Sequence, residues 1–296
     1  MTNESAWDTS LGKECVFSVI CVYNSRKILT DYLLESLQQQ DAEYELILVD
    51  NTQGLFESAA KALNWGARDA GGRYLMFVHQ DVRLCSPSWL GDAEEMLDEI
   101  PDLGMAGPLG VRGDWRGRRR LVTNVTYGVP ATELPNALRV AEPEKVQTLD
   151  ELLLIAPSSV FRRLQFDESV CDDWHFYGVD YCLSAAELGF NAYALPLPIH
   201  HRHLGHHNTN IFRVILGVGL FSHGYYRTLG RVLHKHRDRV VVVYAGTEKW
   251  NARYPLLLQR LKATVDAVAD MIVNGWLRHT LCGLVTKPRR TGSPSD

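Results

Sequence analysis

The sequence of 296 residues lacks long apolar runs, paired cysteines and a strong net charge of either sign. A bilayer-spanning helix needs roughly 18 or more consecutive apolar residues. The best stretch, Ile211 to Ser222, is short and contains Arg213, so no transmembrane segment is expected. The six cysteines (Cys15, Cys21, Cys85, Cys171, Cys182, Cys282) form no C-x-x-C pair and no small-framework spacing. Reduced thiols in a cytosolic protein are the simplest reading. The N-terminal residues lack the basic and apolar regions of a secretory signal, which also points to the cytoplasm. A formal charge of −4 excludes a broadly basic nucleic-acid coat protein, and no nucleic-acid partner is expected. No P-loop and no G-x-G-x-x-G follows the first strand-like run. ATPase and simple dinucleotide-binding readings lose their support.

What is present is ordinary globular usage, with 46% hydrophobic and 22% charged residues. The length suits one large domain or two small ones. Charge is uneven: from His223 onward there are 13 Lys/Arg against 5 Asp/Glu, a surplus of +8, so the first 222 residues carry −12. That asymmetry suggests an anionic partner for the C-terminal part, either a phosphate-rich ligand or a lipid surface.

The first hundred residues alternate strand and helix signals. Val16 to Tyr23 is a near-continuous apolar, β-rich run of the kind buried on both faces. Leu29, Leu33, Leu34 and Leu37 then recur at helical spacing. Tyr44 to Val49 reads as a second strand, Phe56 to Ala67 as a helix, and Tyr74 to Val78 as a third strand. Ser86-Pro87 begins a helix to about Ile100. Farther on, Glu151 to Arg163 reads as strand and turn, Asp180 to Leu188 as helix, and Asn191 to Leu195 and Val240 to Tyr244 as strands. Arg112 to Arg120 reads as a mobile, arginine-rich loop suited to phosphate. Such alternation implies a mostly parallel, doubly wound sheet, whose ligands bind outside the carboxyl ends of its strands. Tyr23-Asn24, Asp50-Asn51 and His79-Gln80-Asp81 all fall there.

Each has a bland and a functional reading. Asp50-Asn51 suits a turn or cap, or a carboxylate that accepts a ring N–H of a base. Asp81 suits a solvated turn, or an oxygen ligand for a divalent ion beside phosphates. His200-His-Arg-His-Leu-Gly-His-His207 lacks the four-ligand spacing of structural zinc.

Three ordered blocks carry a resemblance: Phe17-Ser-Val-Ile-Cys-Val-Tyr-Asn24, Glu45-Leu-Ile-Leu-Val-Asp-Asn51, and Ala70-Gly-Gly-Arg-Tyr-Leu-Met-Phe-Val-His-Gln-Asp-Val82. They resemble family 2 glycosyltransferases of the GT-A fold, in a branch with His-Gln-Asp in place of Asp-x-Asp. The likeness resumes at Phe166-Asp-Glu168 and Trp174 to Leu183 and reaches the histidines after Pro198. It implies an α/β, Rossmann-like, mostly parallel sheet over residues 15–245. A tail over 1–14, a helical C-terminal extension over 246–286 and a flexible tail over 287–296 complete the expected organisation.

The resemblance also implies roles. Tyr23, Asn24, Asp50, Asn51, Arg73, His79 and Gln80 would line the nucleotide-sugar site. Asp81 would bind a divalent cation, Mg or Mn, joined by His200 or His201. Inverting members place a base where this chain has Gly178, so a carboxylate is missing from its usual position. Asp180, Asp173 and His175 are then the candidate bases. The implied activity is inverting transfer of a sugar from a nucleotide-diphosphate sugar to a hydroxyl of a saccharide or lipid-linked acceptor. By its charge and amphipathic spacing, the basic C-terminal part is expected either to rest on the inner face of a membrane or to form a soluble helical lid. A non-catalytic nucleotide-sugar sensor is the rival suggested by His79 and Gly178, and a nucleotidyltransferase a weaker one.

Overall fold

The computed structural model describes residues 15–113, 116–202, 221–245 and 248–266. Its contacts divide the chain into two units, Met1–His206 with Gly224–Arg253, and His207–His223 with Tyr254–Asp296. Both expected tails, most of the amphipathic segment Arg260–Cys282, and His203, His206 and His207 lie outside the described residues. In the second unit the side chains of Tyr254, Leu257, Leu258, Leu261 and Val265 are exposed. No helix among the described residues is long and apolar enough to cross a membrane. The five described cysteines are unbridged.

The first unit begins with β1 (Phe17–Tyr23), whose apolar run is buried nearly throughout. A short helix α1 (Arg26–Leu29) follows, N-capped by Ser25. It widens to a π-type turn over Thr30–Leu34 and ends as α2 (Glu35–Leu37). Next come β2 (Tyr44–Asp50), α3 (Ala59–Ala67, N-capped by Ser58), β3 (Tyr74–Val78), β4 (Val82–Leu84) and α4 (Trp89–Asp98). Strands β5 (Leu103–Gly107), β6 (Leu109–Gly113), β7 (Arg119–Thr123), β8 (Thr126–Tyr127), β9 (Thr132–Glu133), β10 (Glu144–Val146) and β11 (Thr148–Leu149) fill the middle. Then β12 (Leu153–Pro157), α5 (Ser158–Leu164), α6 (Tyr177–Glu187), β13 (Asn191–Ala194) and β14 (Ile199–His201) follow. The unit closes with α7 (His223–His236), β15 (Val242–Ala245) and β16 (Glu248–Asn251).

Seven strands form one sheet in the order β10-β13-β5-β12-β3-β1-β2. Neighbours β1/β2, β1/β3 and β13/β5 are parallel, whereas β12 runs against both β3 and β5, and β10 runs against β13. The reversal of β12 places its first residues at the edge where β1 and β3 end, with the His79 N–H donating to Leu152 O at 2.9 Å. A second sheet, β4-β14-β8-β9, folds over the same edge. Two local expectations change. The arginine-rich stretch is largely the β6/β7 hairpin, pairing Arg112 with Arg120, because extended neighbours satisfy the backbone there. The turn after β12 is the helix α5.

Candidate functional site

A cavity of about 340 Å³ opens at the carboxyl ends of β1 and β3. Tyr23, Asn24, Asn51, His79, Gln80, Asp81, Trp174 and Tyr177 are among its lining residues. Of these, His79 and Asp81, together with His201, bring one ligating atom each to within 4.8 Å of one another. Strand pairing builds this cluster. β14 runs antiparallel to β4, so Arg202 N–H donates to Asp81 O at 3.0 Å and His201 Nε2 lies 3.2 Å from Asp81 Oδ1. Alternation along β14 turns His200 to the other face, beside Thr126 Oγ1 at 3.2 Å and the Tyr32 ring. Of the two candidate histidines, His201 therefore joins Asp81, and His200 does not.

Electrostatics match that geometry. Burial, then the neighbouring His201, lowers the pKa of His79, against the pull of Asp81. Burial raises that of Asp81, but the hydrogen bond and charge of His201 outweigh it and leave the net shift downward. A neutral imidazole and an ionised carboxylate are the forms that bind metal. His201 Nδ1 is buried and has no partner among the described residues. It is His201 Nε2 that faces Asp81, and a carboxylate with two imidazoles is a donor set that fits a divalent ion.

On the β1/β2 side, the Tyr23 hydroxyl donates to Asp50 Oδ2 at 2.7 Å, and Thr52 N–H donates to Oδ1 at 2.9 Å. The Thr52 and Tyr23 bonds hold the Asp50 carboxyl below its usual range. The other two polar candidates are occupied. Gln80 accepts from the N–H groups of Asn24 and Ser25 and donates to Asn24 Oδ1 at 2.7 Å. Asn51 is tied at both ends to the Phe56 backbone. These two side chains shape the rim.

Several other candidates lie elsewhere. Arg73 precedes β3, at the strand end opposite the crevice, and pairs with Glu94 and Asp98 of α4. Asp180 is buried in the first turn of α6, which starts three residues earlier than the periodicity suggests. Its oxygens meet Lys235 Nζ at 2.7 Å and His236 Nε2 at 2.9 Å. It lines a separate hollow with Asp167, Glu187 and Lys235 and is not brought to the crevice. Asp173 Oδ1 accepts from Trp174 N–H at 2.7 Å, and His175 packs edge-on against Tyr225. Neither lines the crevice cavity.

The family model described as "Glycosyltransferase like family" matches residues 17–203, which include the strand ends and the ligand cluster. The chain belongs to the glycosyltransferase-like family. A curated relative, "ATP synthase subunits region ORF 6" from Fuscovulum blasticum, is 30% identical over 182 residues, covering 58% of this chain and 69% of the relative. Among solved structures, the mannosyltransferase PcManGT from Pyrobaculum calidifontis, in complex with GDP-Man and Mn2+, is similar in fold with a TM-score of 0.52. It is 16% identical, and the match covers 97% of this chain and 86% of that one. The architecture is thus GT-A, and the protein is a glycosyltransferase.

In this glycosyltransferase, Trp174 and Tyr177 are cavity walls that the sequence does not single out, although both stand in the stretch Trp174 to Leu183. Nor is Glu151 among the candidates; with Asp150 it directly precedes the apolar run Leu152 to Ala156, and it does not line the cavity.

Proposed function

We propose that this protein is an inverting glycosyltransferase that takes a nucleoside-diphosphate sugar as donor and a hydroxyl as acceptor. One observation carries the reading: His79 and Asp81 line a cavity whose wall holds Tyr23 and borders Asp50, and His201 joins them in one cluster of ligating atoms. His79, Asp81 and His201 would hold a divalent cation, Mg or Mn. When bound, the cation offsets negative charge on the departing diphosphate. The Pyrobaculum mannosyltransferase, which holds GDP-Man and Mn2+, supports that choice of donor class and metal.

The chain's own groups do the rest. Asp50 keeps lone pairs beyond those used by Tyr23 and Thr52 and can accept a ring N–H of a base. Trp174, 40% exposed at the cavity mouth, offers an aromatic face to the sugar or acceptor. Gln80 and Asn24 hold the loop after β1 against the loop after β3, so the donor meets a preformed floor. Calorimetry with GDP and UDP, with and without Mn2+, tests this reading. Metal-dependent binding that is lost in Asp81→Ala is expected, and metal-independent binding in both proteins refutes it. A product retaining the donor's anomeric configuration by NMR would refute inversion.

A lipid-linked acceptor is favoured by the exposed set Tyr254, Leu257, Leu258, Leu261 and Val265 within the basic C-terminal part. Salt-sensitive pelleting with anionic liposomes is the expected behaviour. Absence of pelleting at low salt counts against it.

A further inference from the structure

Inverting transfer needs a base for the acceptor hydroxyl, and Gly178, at the start of α6, offers no side chain for that role. The space it would occupy is filled by another residue. A Cβ on Gly178 would sit 3.0 Å from Glu151 Cγ and 2.9 Å from Leu154 Cδ1. Both contacts are tighter than ordinary packing. Glu151 Oε1 accepts the Gly178 N–H at 3.0 Å, and the Tyr177 hydroxyl donates to Glu151 O at 3.1 Å. Because β12 is reversed, Glu151 stands at the crevice edge of the sheet, one residue from the Leu152 carbonyl that accepts the His79 N–H. Glu151 is half-buried and does not itself line the cavity; the adjacent Tyr177 does, so the carboxylate stands behind that wall.

We propose that Glu151 is the general base of the transfer, a carboxylate moved from the helix to the facing strand. The inference rests on the glycosyltransferase reading above. In the step, the acceptor oxygen bonds to the anomeric carbon as its proton passes to a Glu151 oxygen. The bond from the anomeric carbon to the diphosphate breaks, and its electron pair leaves with the nucleoside diphosphate.

The surroundings favour a strong base. Burial, then the charge of Asp150, pushes the Glu151 carboxyl up to about 8, against the N–H bonds from Gly178 and Phe176. The other titratable neighbours are Tyr177 and Cys182 on α6, Cys171 before it and Tyr225 on α7. Burial raises the pKa of each and keeps it neutral. A base poised near the working pH is the most effective kind.

The test uses the full chain with Mn2+, and GDP-mannose and UDP-GlcNAc as donor probes, following nucleoside diphosphate release with water as acceptor. Glu151→Gln should lower turnover by about 100-fold or more while the protein stays folded and GDP and UDP affinity stays near wild type. Wild-type turnover should rise toward an apparent pKa near 8, and that limb should vanish in Glu151→Gln. The double variant Glu151→Gly with Gly178→Asp frees the space and returns a carboxylate to the helix. It should recover at least about tenfold over Glu151→Gln, which a purely helix-capping role for Glu151 does not predict. Equal turnover and equal pH profiles in wild type and Glu151→Gln overturn the assignment. So does donor binding without any cleavage by wild type from about pH 6 to about pH 9, since a competent base at an open crevice activates water. Failure to bind either nucleoside diphosphate with Mn2+ overturns the donor reading and, with it, the base.

Discussion

Two clusters of charged side chains in the first unit differ in whether their hydrogen-bonding capacity is spent. Around Asp180 it is spent. Lys235 bridges Asp180 and Asp167, and His236 lies between Asp180 and Glu187 with both ring nitrogens engaged. One turn back along α7, Arg231 and Arg227 grip Asp172. The positions 227, 231 and 235 recur every fourth residue, so a single face of α7 clasps the loop that leads into α6. Around Asp81 the capacity is not spent. His201 Nδ1 has no partner among the described residues, and Asp81 itself lines an open cavity. A buried carboxylate alone is therefore poor evidence of function. An unspent donor or acceptor beside an open cavity is better evidence, because burying it unsatisfied costs stability that a ligand can return.

The comparison can be broken by exchanging its two central carboxylates for alanine. Asp180→Ala leaves Lys235 and the fully buried His236 facing a void. Removing one partner of a buried pair costs about 3–5 kcal/mol, and the lower end is expected because Lys235 keeps 30% exposure. Chemical denaturation should show that loss, and a loss below about 1 kcal/mol would dissolve the distinction. Asp81→Ala should do the reverse. Its melting temperature should hold, while Mn2+-dependent nucleoside diphosphate binding falls by more than the ~10–100-fold typical of second-shell losses.

The histidines of β14 sharpen the comparison within one strand. His201→Ala should weaken Mn2+ binding by about tenfold or more, and His200→Ala by less than about twofold. Equal effects would mean that strand alternation does not decide which imidazole serves the site.

Asp167 of the first cluster and Glu151 should respond to pH in opposite directions. Burial alone would raise the Asp167 carboxyl, yet hydrogen bonds from Ser169 and Lys235 outweigh it and bring it to about 2. A depressed carboxyl stabilises the fold above its unfolded value, and that contribution is lost as pH falls from about 4 through about 2. Glu151, raised to about 8, binds its proton more tightly in the folded state. Its contribution is present below about pH 4.5 and declines as pH rises through about 8. Asp167→Asn should flatten the acid limb of the stability profile, and Glu151→Gln the decline between about pH 4.5 and about pH 8. Unchanged limbs in melts across pH would show that neither group is shifted. The smallest effect belongs to Arg73→Ala. Its ion pairs are about half exposed and worth ~1 kcal/mol or less, and donor binding should not change. Lost donor binding would return Arg73 to the site.

Much of the fold could be read in advance where burial is two-sided. β1 and β3 appear in the sequence as unbroken apolar runs, and Tyr23 at the end of β1 and Asp81 three residues beyond β3 are found at the crevice. Periodicity was weaker at α6, where Tyr177, Gly178 and Val179 are buried and give no amphipathic onset. The first turn was therefore missed, and Asp180 passed for a candidate base at a helix start. Arg73 failed for a different reason. Proximity in sequence to a strand says nothing about which end of that strand faces the ligand.

The sequence by itself determined the strand–helix alternation, the strand ends that gather at one edge, and Asp81 as a carboxylate placed there. Those features depend on local hydrophobic pattern, which each segment carries alone. Only the tertiary structure decided that His201 rather than His200 meets Asp81, because that depends on the register of β14 against β4. It also decided that Asp180 is closed off by Lys235 and His236, residues more than fifty positions away. The direction of β12 was decided there too. A strand's burial is written in its own residues, but its direction is set by its partners, and that direction places Glu151 at the crevice edge.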